Sequence, residues 1–156
     1  MIEVKKNDTK KLKNFSKIDL NRINLNKIGL NKINESNFYE YKSAEYQFLK
    51  YKIAPTLQFI VSSKEDLLVI KLDKITIKEF SAILKLLSIH INITISRIED
   101  KYILETLISL KLESKKGFFK NLPIPFIRNL LEKSLDKISN RLQKKIFQKI
   151  SKLFND

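Results

Sequence analysis

The C-terminal run from Leu122 to Asp156 constrains the fold of this chain more than any other segment. It reads LPIPFIRNLLEKSLDKISNRLQKKIFQKISKLFND, it contains no glycine, and its prolines lie at its very start. Its apolar side chains recur at steps of three and four residues, which is the spacing of one helix face. The run therefore predicts one helix after Pro125, roughly 45 Å long at about 1.5 Å per residue, with an apolar stripe along one side.

The region from Phe38 to Glu113 alternates with a period of two, as half-buried strands do. Ser88–Ser96 carries isoleucine at every odd position and His, Asn, Thr or Ser at every even one. We expect this segment to form a hairpin with Tyr102–Leu112 through a turn at Ile98–Lys101. One polar face per strand is typical of an antiparallel sheet that is wet on one side and covered on the other. The chain is thus predicted to be an α+β protein, with an antiparallel sheet gripped by the long final helix.

Further strands are predicted before this hairpin, and the first of them, with Tyr46, Phe48 and Ile53, ends or bulges at Ala54-Pro55. Leu57–Val61 and Leu68–Leu72 both alternate, and the polar residues Ser63–Asp66 between them favour a turn. The alternation resumes at Ile75 after an interruption at Asp73 and Lys74.

Residues 1–36 differ from the rest of the chain, because they are rich in Lys and Asn. Their Ile and Leu residues are spaced alternately two and three apart, between the period of a strand and that of a helix. We interpret residues 1–36 as a poorly ordered basic extension with short helices, and residues 37–156 as the single folded domain.

The composition excludes several classes of site. Two glycines cannot build a phosphate-binding glycine loop, and the absence of Cys removes disulfides, thiol catalysis and cysteine metal sites. The one histidine, His90, cannot form a multi-histidine zinc site. No apolar run approaches about 18 residues, so we expect no membrane-spanning helix. The N-terminus also lacks the apolar core of a secretory signal.

No catalytic constellation emerges from the titratable residues. His90 lies on the polar face of its predicted strand without an evident partner, which favours a surface role. The paired acids at 65–66 and 99–100 fall in predicted turns, and Glu132 and Asp136 are spaced i, i+4 on a lysine-rich helix. We therefore expect a protein that is not an enzyme and that has no cofactor and no metal.

The net charge of +14 has two interpretations. It favours polyanionic partners such as RNA or anionic lipid headgroups. The alternative is codon drift in an AT-rich genome, because Lys, Asn and Ile are abundant together while Arg is scarce. Nucleic-acid readers usually concentrate Arg and aromatic residues, and here Lys is spread along the chain.

Three segments carry a resemblance to a known family. They are FLKYKIAPTL at Phe48–Leu57, the stretch Phe80–Lys111, and LPIPF at Leu122–Phe126 with the basic helix after it. Together these segments resemble an uncharacterised domain-of-unknown-function family of cyanobacteria and plastids (number nineteen ninety-seven). The similarity covers roughly Tyr46 to Asp156. Two features depart from the family: LEKS at 131–134 replaces its usual Gly-Asn pair, and Leu153-Phe154 stands where an aromatic, typically Trp, is found.

The resemblance implies a START-like, helix-grip fold, in which a curved antiparallel sheet wraps around a long C-terminal helix. It also implies a soluble, organelle-encoded plastid (chloroplast) protein, and an apolar ligand held between sheet and helix. The family has no established activity.

Two surfaces of this predicted fold are candidate sites. A possible apolar pocket is lined by residues that would converge between sheet and helix: Phe59, Ile91, Ile93, Leu104, Ile108, Leu135, Ile138 and Leu142. A possible polyanion face lies on the outer side of the helix: Lys133, Lys137, Arg141, Lys144, Lys145 and Lys149.

Each candidate site has a simpler alternative, since the first set equally describes an ordinary core and the second a solvated helix face. A role in assembling a photosynthetic or ribosomal complex stays open. We favour a non-catalytic plastid protein that binds an apolar small molecule or assists assembly of an organelle complex, with binding to RNA or an anionic surface as the alternative.

Overall fold

The computed structural model describes residues 2–12, 17–34, 36–48, 51–77, 87–113 and 124–155. These residues form nine strands, two short 3-10 helices and one α-helix. In chain order the elements are β1 (Ile2–Leu12), 3-10 helices at Leu20–Arg22 and Leu25–Ile28, β2 (Asn31–Lys32), β3 (Phe38–Lys42), β4 (Tyr46–Phe48), β5 (Tyr51–Ile53), β6 (Thr56–Lys64), β7 (Leu67–Thr76), β8 (Leu87–Ile98), β9 (Lys101–Leu112) and α1 (Ile124–Asn155).

Seven of these strands form one curved antiparallel sheet in the order β1-β9-β8-β7-β6-β3-β2. The remaining two, β4 and β5, pair with each other in a separate two-stranded sheet. Helix α1 spans 32 residues and packs against one face of the large sheet. The α+β class and the helix-grip arrangement predicted from the sequence are therefore confirmed. Residues 80–86 of the expected family segment and Leu122-Pro123 lie outside the described residues.

The predicted β8–β9 hairpin is confirmed, with register from Leu87 opposite Leu112 to Ile98 opposite Lys101. Its two-residue turn places Glu99 and Asp100 at positive φ, which matches the right-handed twist of the strands it joins.

The interruption at Asp73 and Lys74 is a β-bulge within a continuous strand β7. Phe59 pairs with Leu72, whereas the preceding Gln58 pairs with Lys74, so Asp73 is the extra residue. One inserted residue reverses which side of the sheet the following side chains face. This explains why the apolar positions change from even numbers before the bulge to Ile75 and Ile77 after it.

The N-terminal residues are part of the fold and not an extension outside it. Strand β1 pairs along its length with β9, and the segment after it buries Leu20, Leu25, Ile28 and Leu30. The expected short helices are present as the two 3-10 turns, which Asp19 and Asn24 cap by accepting hydrogen bonds from the N–H groups of Asn21 and Asn26. The boundary proposed at residue 36 is corrected accordingly, because apolar residues on both sides of it share one core.

The two halves of α1 pack in different ways. Leu131 and Leu135 in its first half join a cluster with Ile108, Leu110 and Leu112 of β9. Its second half contributes residues to the larger core, which extends over β6, β7, β8 and the 3-10 segment: Leu142, Ile146, Phe147, Ile150, Leu153 and Phe154.

Candidate functional site

A cavity lies between the second half of α1 and the concave face of the sheet. It measures about 70 Å³, and the whole concave space, including the part open to solvent, measures about 570 Å³. Its walls are almost entirely apolar. The lining residues are Ile28, Leu30, Tyr41, Ser43, Leu57, Phe59, Ile70, Ile91, Ile93, Leu142, Lys145, Ile146, Lys149 and Ile150.

The closed side of this cavity is built by three adjacent strands. Leu57 and Phe59 of β6, Ile70 of β7, and Ile91 and Ile93 of β8 are all buried. They share one face because alternate residues of a strand point the same way and because the strands pair with Val61 opposite Ile70 and Ile70 opposite Ile93.

The N-terminal segment closes one end of the cavity with Ile28 and Leu30. Between them Gly29 ends the second 3-10 helix with φ 87°, a left-handed conformation that favours glycine. A Cβ at this position would lie 3.1 Å from Cε2 of Tyr41. Gly29 therefore allows the turn to approach the Tyr41 ring closely.

The open side of the cavity is cationic. Tyr41, Ser43, Lys145 and Lys149 are the partly exposed polar residues of the lining. The Nζ atoms of Lys145 and Lys149 lie 5.6 and 5.3 Å from the centroid of the Tyr41 ring, within the range of cation–π attraction. Two ammonium groups are thus held beside one aromatic ring at the mouth of an apolar cavity.

The structure divides the predicted pocket residues into two sets. Phe59, Ile91, Ile93 and Leu142 do line the cavity. The other four are not among the lining residues of this cavity: Leu104 belongs to the larger buried core, and Ile108, Leu135 and Ile138 lie in or against the cluster under the first half of α1. Among the described residues, the first half of α1 packs on β9 through the buried Leu131 and Leu135.

The cavity also uses residues that the sequence-based prediction left out. Ile28 and Leu30 are missing from it because the prediction places the segment before residue 37 outside the folded domain. Its close spacing of Ile and Leu was the available signal, since a solvated extension has no reason to carry so many apolar side chains. Tyr41 gave no such signal, because only the tertiary structure brings β3 beside the helix.

The predicted polyanion face is also divided in two. Lys133, Lys137, Arg141 and Lys144 are exposed on the outer side of α1, where they line a shallow groove with Asp136 and Asn140. Lys145 and Lys149 are half-buried and line the cavity instead. Within the groove, Asp136 is engaged by Lys6 of β1 at 2.7 Å between Nζ and Oδ1.

The acids and the histidine are found where the sequence placed them. His90 is exposed on the solvent side of β8. The pairs at 65–66 and 99–100 lie in turns, and Arg97 joins these turns through ion pairs with Asp66 and Asp100. In the part of the chain that the structure describes, no group of three or more His, Cys, Asp or Glu side chains is arranged to hold a metal ion.

Helix α1 carries charged residues throughout its length. Among the described residues, no helix has both the length and the apolar character that crossing a membrane requires.

The site therefore combines an apolar cavity with a cationic opening. An engineered apolar cavity of about 150 Å³ stays dry and takes up benzene, whereas drug-sized ligands occupy roughly 300–1,000 Å³. A cavity of about 70 Å³ accommodates only a short apolar group, while the wider mouth offers room for the remainder of a ligand.

Comparison with protein-family models and with curated proteins finds no match for this chain. The resemblance to the cyanobacterial and plastid family accordingly stays a prediction.

Proposed function

We propose that this protein is a non-catalytic binding protein that holds an apolar ligand between its sheet and its final helix. The observation that carries the proposal is the cavity bounded by Ile70, Ile91 and Ile93 on the sheet and by Leu142 and Ile146 on the helix. Filling an apolar cavity restores the dispersion contacts that its walls lack, and water cannot satisfy its own hydrogen bonds there.

The volume sets the expected affinity. About half of a benzene-sized cavity corresponds to roughly three or four carbon atoms. Burying that many CH₂ groups yields about 3 kcal/mol, at ~0.8 kcal/mol each. Since about 4 kcal/mol corresponds to a millimolar dissociation constant, a short ligand should bind in the millimolar range. A longer ligand that also covers the mouth should bind more tightly.

The test uses 1-hexanol, a neutral apolar probe, with isoleucine-methyl NMR as the measurement. Titration should shift the methyl resonances of Ile70, Ile91 and Ile93, which line the cavity. The methyl of Ile98 serves as an internal control, because Ile98 is exposed beside the β8–β9 turn and does not line the cavity. Native mass spectrometry and lipid extraction of the purified protein would then identify a natural ligand.

Matched variants locate the binding. Leu142→Phe should fill the cavity and abolish the shifts, whereas Ile138→Phe, on the same helix but against the other cluster, should leave them intact. Absence of methyl shifts at saturating hexanol, together with repeated isolation of ligand-free protein, would refute the proposal.

A second candidate function is binding of RNA or another polyanion on the outer face of α1. It is favoured by Lys133, Lys137, Arg141 and Lys144, which are exposed along one side of the helix. A mobility shift of single-stranded RNA at two salt concentrations tests it, since electrostatic binding must weaken as salt rises. The Lys137→Gln/Lys144→Gln double variant should weaken this binding, and binding that is unaffected by salt rules out this mode.

The plastid location and a role in assembling an organelle complex belong to the same proposal. The Lys, Asn and Ile bias of the sequence supports them, because such bias is typical of AT-rich organelle genomes. Detection of the protein in purified plastids, and its co-purification with a complex, are the tests. Its recovery alone would count against the assembly role.

A further inference from the structure

We infer that the ligand of this cavity is a monomeric amphiphile with a carboxylate head, whose tail enters the cavity and whose head meets Lys145 and Lys149. This inference rests on the proposed function and specifies the chemical class of its ligand. It is carried by the juxtaposition of an apolar cavity and two ammonium groups in one lining.

Lys145 and Lys149 lie at the open side of the cavity, where the carboxylate of a bound amphiphile would be. The inner walls of the cavity are buried and apolar, so a charged group placed there would lose its hydration without a partner. At the open side Lys145 and Lys149 are half-buried, and their side chains point across the same Tyr41 ring. An anion at this position keeps contact with water and gains two cations, whereas an anion anywhere deeper gains neither.

The helix supplies these two lysines together because residues four apart lie on the same side of a helix. Leu142, Ile146 and Ile150 occupy the adjacent rows and face the cavity. One helix surface thus presents apolar side chains to the tail and ammonium groups to the head. Among the described residues, no carboxylate forms an ion pair with Lys149 within 4.0 Å, so its charge is available to a ligand.

Hexanoate and 1-hexanol, which have the same chain length, provide the decisive comparison. At low salt, hexanoate should bind the native protein about three- to ten-fold more tightly than hexanol, because each partly exposed ion pair contributes up to a few-fold in affinity. The methyl shifts of Ile91 and Ile93 report both titrations. The preference should diminish as salt is added.

Three variants distinguish a head-group site from general attraction to a basic protein. Lys149→Gln should remove most of the preference for hexanoate over hexanol, and Lys149→Arg should retain it. Lys144→Gln is the matched control, since it removes the same charge from the exposed outer face of the helix. It should leave the preference intact.

The possible results distinguish failure of the carboxylate inference from failure of the proposed apolar binding. Equal binding of the two probes, or equal loss in Lys144→Gln and Lys149→Gln, would overturn the carboxylate inference while the apolar cavity stands. If neither probe shifts the cavity methyls, the proposed function itself fails and the inference fails with it. Association with anionic phospholipid vesicles without any response to hexanoate would also overturn the inference.

Discussion

The hydroxyl of Tyr102 forms two hydrogen bonds with the backbone of Ile18. It accepts one from the Ile18 N–H at 2.7 Å and donates one to the Ile18 carbonyl oxygen at 2.8 Å. The Tyr102 ring also packs against Phe154 near the end of α1, with centroids 5.0 Å apart. One side chain of β9 therefore fastens both the N-terminal segment and the end of the helix to the sheet.

Tyr102→Phe should destabilise the protein by about 1–3 kcal/mol, because it leaves two backbone groups of Ile18 without their partner and retains the ring contact with Phe154. For a chain of this size the melting temperature should fall by roughly 2–4 °C per kcal/mol. Tyr39→Phe is the control, since the Tyr39 hydroxyl forms no hydrogen bond with another described residue. Equal melting temperatures for the native protein and Tyr102→Phe would contradict this role.

Gly29→Ala should destabilise the protein by about 1–2 kcal/mol, because an L-residue in the left-handed conformation at this turn is strained. The new Cβ would also press on the Tyr41 ring at 3.1 Å and should perturb the cavity mouth. Gly29→Asn separates the two effects, since asparagine tolerates positive φ but carries the same Cβ. Denaturant unfolding measures the stability of each variant. The hexanoate titration measures whether the open side of the cavity still binds the probe.

Leu135→Ala should cost about 2–5 kcal/mol, because Leu135 is 1% exposed and its truncation leaves a void between α1 and β9. Leu130→Ala is the matched control on the same helix, because Leu130 is 46% exposed. Its effect should stay within about 0.5 kcal/mol. Similar losses from both substitutions would mean that the first half of α1 is not packed as described.

Because Lys11 lies beside Lys101, we predict that the free energy of unfolding increases with pH in the alkaline range. The pKa of Lys11 lies below its ordinary value of 10.5, first because of its side-chain hydrogen bond with Lys101 and then because of charge repulsion from the same residue and desolvation. Between the lowered pKa and 10.5 the unfolded chain binds more protons than the folded one, so the free energy of unfolding increases with pH in that interval.

Lys101→Gln should raise the stability of the protein at neutral pH and flatten this rise, as measured by urea midpoints across the interval just below pH 10.5. Lys74→Gln, which removes an exposed lysine from β7, is the control and should keep the rise. An unchanged slope in Lys101→Gln would rule out the pairing as its source.

Strand β1 is an element that its local sequence pattern does not predict. Its inward positions include Ile2, Val4 and Leu12, but also Lys6 and Lys10, so its alternation is obscured. Those lysines are accommodated by the helix: Lys6 pairs with Asp136, and Lys10 lies 4.2 Å from the centroid of the Phe147 ring. Charged residues on an edge strand also discourage pairing with other chains, which is a reason for their presence that no periodicity reveals.

The sequence by itself determined the elements whose signal is local. The 3.6-residue stripe of α1 and the two-residue alternation of β8 and β9 each follow from which side chains must be buried together within one element, and a one-residue change of register would expose them. The order of a sheet followed by a covering helix was accessible for the same reason.

Only the tertiary structure decided which faces meet. It paired β1 with β9 across a separation that runs from Ile2 to Leu112, and it packed the first half of α1 while leaving a cavity beneath the second. It also separated Lys145 and Lys149 from the outer lysines and placed them over Tyr41. These outcomes depend on how packed elements fit against one another over long sequence separations, and a repeating local pattern carries no information about that fit.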